Sequence, residues 1–93
     1  MQDKIMTLHP DQSKTGVNID HSKYLQMKST LCDILETHGA MTFSELQAHT
    51  RDTLRGKFDG SIGWYMTTVK LDLEARALIK VNRKRSPMKI ELA

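Results

Sequence analysis

Helix-like periodicity recurs in three consecutive stretches of the chain and then gives way to two strand-like segments. Apolar residues repeat at the 3.6-residue spacing of a helix in residues 21–38, 42–55 and 61–76. Alternating apolar and polar residues follow at residues 78–81 and 88–92, on either side of a short polar loop. This order predicts an α+β fold in which three helices precede a C-terminal β-hairpin.

Residues that start and stop helices bound these stretches. Asp20 and Ser22 are good N-caps for the first helix, and Gly39 supplies a stop. The second helix opens on Thr42-Phe43-Ser44-Glu45, a capping box in which threonine and glutamate each satisfy a free backbone amide, and it ends before Gly56. We expect the inner faces of the three helices to comprise Tyr24, Leu25, Lys28, Leu31, Cys32 and Leu35, then Phe43, Leu46, Thr50 and Leu54, then Ile62, Met66, Val69 and Leu73.

The first 19 residues have a different pattern. Ile5-Met6-Thr7-Leu8 and Val17-Asn18-Ile19 alternate, and a loop that contains Pro10 and Gly16 joins them, which predicts a loose β-hairpin. A chain of 93 residues makes one domain. We therefore expect an N-terminal β-hairpin arm at 1–19, packed on a core at 20–93.

The composition contains no signal for a membrane, a secretory route or a metal. No apolar run approaches the roughly 20 residues of a membrane span, and MQDKIMTLHP lacks the pattern of a signal peptide. A single cysteine, Cys32, predicts a cytoplasmic location. The four histidines and Cys32 lack metal-ligand spacing, so we expect no metal, no cofactor and no catalytic residues, and hence no enzyme.

Positive charge is concentrated at the C-terminal end. Residues 76–93 hold six basic residues and one acid, a net charge of +5, whereas residues 1–75 carry a net charge of −2. Such an asymmetry favours a polyanionic partner.

The segments Thr42-Phe43-Ser44-Glu45-Leu46 and 71–79 resemble those of winged-helix (winged helix-turn-helix) domains, although these domains usually have glycine where this chain has Ala77. The segment GKFDGSIGWY, residues 56–65, is similar to one in a group of small bacterial proteins of unassigned function. The winged-helix resemblance implies that the third helix enters the DNA major groove and that the hairpin, the wing, contacts the DNA backbone or the minor groove. It suggests a role in transcription regulation.

The basic wing is the strongest functional signal, because each phosphate that it neutralises releases counterions and adds affinity. We therefore expect a DNA-binding protein of modest specificity. Its expected contact residues are Arg83, Lys84, Arg85, Lys89 and Lys80 on the wing, and Lys70, Thr67 and Thr68 on the third helix.

The outward face of the third helix also carries Trp64 and Leu71, and an apolar stripe on both sides of a helix predicts burial on both sides. The N-terminal arm could cover these residues, and we favour this arrangement because the hairpin otherwise lacks a core. Alternatively, Trp64 and Leu71 form the interface of a homodimer or another protein-protein contact, and the fold has no DNA-binding role.

Overall fold

The computed structural model describes residues 3–11, 13–84 and 86–93. These residues form three helices and five short strands, an α+β arrangement as expected. In chain order the elements are β1 (Lys4–Met6), β2 (Asn18–Asp20), α1 (His21–His38), β3 (Met41–Thr42), α2 (Phe43–Leu54), α3 (Ile62–Ala75), β4 (Ile79–Asn82) and β5 (Lys89–Leu92).

The expected start and stop of α1 are confirmed. The Asp20 carboxylate accepts hydrogen bonds from the backbone amides of Ser22 and Lys23, and Gly39 follows the helix with φ of 80°. The expected inner face is rotated from the observed one, because Leu25 is 48% exposed. The buried residues of α1 are Tyr24, Met27, Leu31, Ile34 and Leu35.

The capping box at the start of α2 is also confirmed. Thr42 Oγ1 accepts from the amide of Glu45, and Glu45 Oε1 accepts from the amide of Thr42. Leu46, Thr50 and Leu54 face the core as expected. Phe43, the remaining member of the expected inner face, is instead exposed.

The end of α3 places Ala77 in a backbone conformation that favours glycine. Ala77 adopts φ of 61°, in the left-handed region. The amide of Leu78 donates to the Leu73 carbonyl, and the amide of Ala77 donates to the Glu74 carbonyl. These two hydrogen bonds form a Schellman motif, which satisfies carbonyl groups at the helix end and turns the chain into β4.

The wing strands belong to a three-stranded antiparallel sheet in the order β3-β5-β4. The expected hairpin is β4 and β5, in which Lys80 lies opposite Glu91 and Asn82 opposite Lys89. Met41 and Thr42 pair with Ile90 and Lys89 on the other side of β5. Because β3 has only two residues, periodicity gave no signal for it. The sheet thus connects the wing to the start of α2.

The arm forms the expected antiparallel pair, with Ile5 opposite Ile19. Beyond the strands, the amide of Thr7 donates to the Val17 carbonyl, and Thr7 Oγ1 accepts from the amide of Val17. Gly16 lies so close to Thr7 that the arm has no room for a side chain there. Since β2 leads directly into α1, the arm is held beside the helices at both of its strands.

One hydrophobic core joins the three helices, the small sheet and the arm. Its buried apolar residues are Ile19, Tyr24, Met27, Leu31, Ile34, Leu35, Met41, Leu46, Leu54, Met66, Val69, Leu73, Ile79 and Ile90. In the three described ranges of the chain, no helix has the length and apolar character to cross a membrane.

Candidate nucleic-acid interface

The wing brings its basic residues close to acidic ones. Lys80 Nζ lies 3.5 Å from Glu91 Oε1, across the strand pair. Arg83 Nη2 donates to Glu74 Oε1 on α3. Lys70 Nζ lies 3.5 Å from the other oxygen of Glu74. The positive charge of this region is therefore partly neutralised by carboxylates in contact with it.

The remaining wing cations have different surroundings. Lys84 is exposed at the turn, where its backbone amide donates to the Asn82 side chain. Lys89 is half-buried on β5 near Glu45. The pKa of Glu45 is lowered, chiefly by the hydrogen bonds from Thr42 and to a smaller extent by the Lys89 charge. Neither lysine has a carboxylate within 4.0 Å among the residues that the structure describes. Arg85 lies outside the described residues.

A groove separates the wing from α2 and α3, and we call it the wing groove. Its volume is about 350 Å³, and its lining residues are Thr42, Phe43, Ser44, Lys70, Val81, Pro87, Met88 and Ile90. Exposed Phe43 and Met88 give it an apolar wall, and Lys70 contributes a cation from α3. The groove therefore brings the start of α2, the middle of α3 and both wing strands to one side of the molecule.

Arg51 and Thr67 lie along α3 on the same side of the molecule as the wing groove. Arg51 of α2 lies across the first turn of α3, with Nη2 2.9 Å from the point that a Cβ on Gly63 would occupy. Thr67 is exposed one turn after Gly63 and one turn before Lys70. Of the expected α3 contact residues, Thr67 and Lys70 thus lie on the stripe between α2 and the wing.

The arm covers the neighbouring stripe of α3. Thr68 and Leu71 line a cavity of about 90 Å³ together with residues of the arm, namely Thr7, Leu8, His9, Thr15, Gly16 and Val17. Thr68 is consequently half-buried beside the arm. The arm was also expected to cover Trp64. Trp64 is 48% exposed, so this prediction is wrong for Trp64. The reason is that the arm lies against the C-terminal half of α3, and Trp64 is in its first turn.

Sequence reasoning missed a buried charged cluster centred on Asp72. The Asp72 carboxylate has no exposed surface, yet it lies on α3 between apolar residues. Oδ1 accepts from the amide of Leu8 at 2.8 Å, Oδ2 accepts from the Tyr24 hydroxyl, and Arg76 Nε lies within 3.0 Å of both oxygens. A signal for it was present in the sequence, since Asp72 and Arg76 have the i,i+4 spacing of a helical ion pair.

This cluster changes the acid-base chemistry of Tyr24. Burial is the main cause, and the hydrogen bond to Asp72 and its negative charge add to it; together they raise the pKa of Tyr24 to about 12. The cluster connects the arm, α1 and α3 through one carboxylate. Its geometry accounts for the position of the arm.

Two of the four histidines lie next to each other in the fold. His38 at the end of α1 and His49 on α2 stack with ring centroids 4.4 Å apart. The described ranges hold no group of three or more histidine, cysteine or acidic side chains placed to hold a metal. Burial raises the pKa of the Cys32 thiol, which disfavours the reactive thiolate.

The elements and charges described above define a small α+β domain with an N-terminal arm and a basic hairpin. The chain matches the "Family of unknown function (DUF6958)" over residues 4–90, from the arm to the last strand, and it belongs to that family. No curated protein and no solved structure matches the chain.

Proposed function

We propose that this chain is a winged-helix protein that binds DNA with modest specificity, through the side of the molecule that contains the wing groove. The observed order of three helices followed by a basic β-hairpin supports this fold, because it is compatible with a winged-helix layout. A role in transcription regulation would follow from binding of this kind.

The observation that carries the proposal is the convergence of α2, α3 and the wing on one groove, whose lining includes Lys70. Thr67 offers a hydroxyl to a base edge or a phosphate, and Lys84 offers an exposed ammonium group. Arg51 adds a guanidinium at the start of α3. These groups come from three different elements, so one duplex could engage them together.

The ion pairs set the expected strength of binding. Lys80 and Arg83 are each held by a carboxylate, so they release fewer counterions than their number suggests. With Lys84, Lys89 and Arg51 as the principal contacts, about three phosphates are neutralised. The logarithm of the binding constant should then fall with the logarithm of salt concentration with a slope of about −2.7.

The arm limits how α3 can be used. It lies against Thr68 and Leu71, so only the N-terminal half of α3 and the wing-side stripe remain open. A helix that is open over half its length offers few base-edge contacts. Modest specificity, with most of the affinity from phosphates, is the expected consequence.

The test is fluorescence anisotropy of a labelled mixed-sequence duplex, titrated from low to near-physiological salt. The double substitution Lys84→Glu and Lys89→Glu should weaken binding at least tenfold and flatten the salt slope. Lys4→Glu with Lys28→Glu is the matched control, because it also reverses two positive charges, on β1 and α1, which lie outside the proposed face. Absence of binding at low salt, or equal losses in both variants, would reject the proposal.

A second candidate function is homodimerisation, and the exposure of Trp64 favours it. Trp64 packs edge-on against Tyr65, with ring centroids 4.9 Å apart, and leaves nearly half of its surface in solvent. Tryptophan is a frequent anchor of protein interfaces. Light scattering across a concentration series tests this candidate: a mass that doubles with concentration in the native chain, but not in Trp64→Ala, would support it.

A further inference from the structure

Glu74 of α3 contacts two basic side chains, Lys70 on the same helix and Arg83 at the turn of the wing. Its side chain is 10% exposed, Oε1 accepts from Arg83, and Oε2 faces Lys70 at 3.5 Å. In the part of the chain that the structure describes, Oε2 is buried without a hydrogen-bond donor. The second oxygen of Glu74 thus has an ion-pair contact with Lys70 but no hydrogen bond.

The same two cations border the proposed DNA-binding face. Lys70 lines the wing groove, and Arg83 follows β4 at the turn of the wing. A phosphate group resembles a carboxylate in charge and in presenting two oxygens to a guanidinium. Glu74 therefore offers Arg83 the kind of partner that DNA would offer.

We propose that Glu74 is an internal counter-ion that competes with a DNA phosphate for Arg83 and thereby limits the affinity of the wing for DNA. This inference rests on the proposed function, since it concerns the regulation of the same face. Arg83 is 58% exposed at its side chain, so it can turn from Glu74 towards solvent. Lys70, with a side chain only 15% exposed, stays beside Glu74 when Arg83 leaves.

The competition between Glu74 and a DNA phosphate for Arg83 has a defined consequence for the salt dependence of DNA binding. While Arg83 is paired with Glu74, its contact with a phosphate replaces one anion by another and releases few counterions. Once the carboxylate is removed, Arg83 contributes a full phosphate contact, which steepens the salt slope by about 0.9.

The experiment compares the native chain with Glu74→Gln and Glu91→Gln by the same anisotropy titration. Both variants remove one negative charge next to a wing cation, but the side chain of Glu91 is 41% exposed and that of Glu74 only 10%. Glu74→Gln should raise the affinity at low salt about tenfold and steepen the slope, whereas Glu91→Gln should raise it less than about threefold. Equal gains would show an effect of net charge alone and overturn the inference.

A second comparison separates the contribution of the Arg83 contact from the effect of the protein's overall charge on DNA binding. Arg83→Ala should weaken binding little in the native background and about tenfold in the Glu74→Gln background, and an equal loss in both would overturn the inference. If Glu74→Gln does not fold by circular dichroism, Glu74→Asp replaces it. That variant keeps the charge beside Lys70 but draws the carboxylate back from Arg83, and it should also raise the affinity.

The results that would overturn the role of Glu74 differ from the results that would overturn DNA binding itself. Native binding that is weakened by Lys84→Glu with Lys89→Glu but unchanged by Glu74→Gln would overturn only the role of Glu74. Absence of binding by the native chain and every variant at low salt would overturn both.

Discussion

The backbone amide of Leu8 donates a 2.8 Å hydrogen bond to Asp72, a carboxylate that lies 64 positions further along the chain. The same carboxylate accepts from Tyr24 of α1 and pairs with Arg76 of α3. A buried carboxylate is tolerated only where it is paired and hydrogen-bonded. The arm, which supplies one of these donors, is therefore an integral part of the folded domain.

Replacement of Asp72 should destabilise the protein severely. Asp72→Ala leaves the amide of Leu8, the hydroxyl of Tyr24 and the Arg76 guanidinium without their acceptor. Loss of one partner of a buried pair costs about 3–5 kcal/mol, and the lower end applies because Arg76 is partly exposed. A domain of 93 residues has a free energy of unfolding of about 5–14 kcal/mol in total.

Urea denaturation measures this loss of stability. Asp33→Ala is the control, because Asp33 is an exposed aspartate on α1, and its substitution should change the free energy of unfolding by less than about 0.5 kcal/mol. Similar values for the two variants would contradict the role assigned to Asp72.

The raised pKa of Tyr24 predicts a loss of stability in alkaline solution. The folded pKa is about 12, above the ordinary value of 10.0, so between these values the folded state holds a proton that the unfolded state has lost. The stabilisation is complete below pH 10 and is lost as the pH rises towards 12. Its upper limit is about 3 kcal/mol.

Denaturant midpoints across this pH range test the prediction, with Tyr24→Phe as the comparison. Phenylalanine cannot ionise, so the variant should be less stable at neutral pH and should show a smaller alkaline decline. An identical decline in both proteins would assign it to other groups.

Gly16→Ala should displace the loop of the arm. A Cβ at this position would lie 1.8 Å from the Thr7 carbonyl oxygen, so the backbone has to move. The hydrogen bonds between Thr7 and Val17 should weaken, at a cost of about 1–3 kcal/mol. Thr15→Ala is the control at an exposed neighbouring position.

Amide hydrogen exchange gives the readout for this substitution. The amides of Thr7, Leu8 and Val17 should exchange faster in Gly16→Ala than in the native chain, and Trp64 emission should stay the same because the arm does not cover Trp64. Unchanged exchange at all three amides would show that the loop accommodates the methyl group.

Local signals were sufficient to predict the helices but not all of their packing. Asp20, Gly39 and the capping box at Thr42 act within a few residues of the chain, and each was visible in the sequence. The face that α1 buries depends on where α2, α3 and the arm are placed. That placement is a tertiary property, and it explains why Leu25 is exposed while Met27 is buried.

The candidate interface could be predicted only in part, for a related reason. The basic character of the C-terminal segment was evident, but the count began at Arg76 and so left out Asp72 and Glu74 immediately before it. Folding brings Glu74 to Arg83, nine positions along the chain, because the chain reverses at Ala77. A charge balance along the sequence therefore overestimates the charge available to a partner.

Ala77 offers a stabilising substitution. Its left-handed conformation costs a residue with a Cβ roughly 1–2 kcal/mol, whereas glycine adopts it freely but loses about 0.5–1 kcal/mol more conformational entropy on folding. Ala77→Gly should therefore raise the free energy of unfolding by about 0.5–1 kcal/mol, which corresponds to about 2–8 °C in Tm.

Ala75→Gly is the matched control, because the same change in the last turn of α3 should instead destabilise by up to about 1 kcal/mol. Thermal unfolding of the three proteins decides the matter: a Tm that falls in both variants would mean that the strain at Ala77 is smaller than its φ indicates.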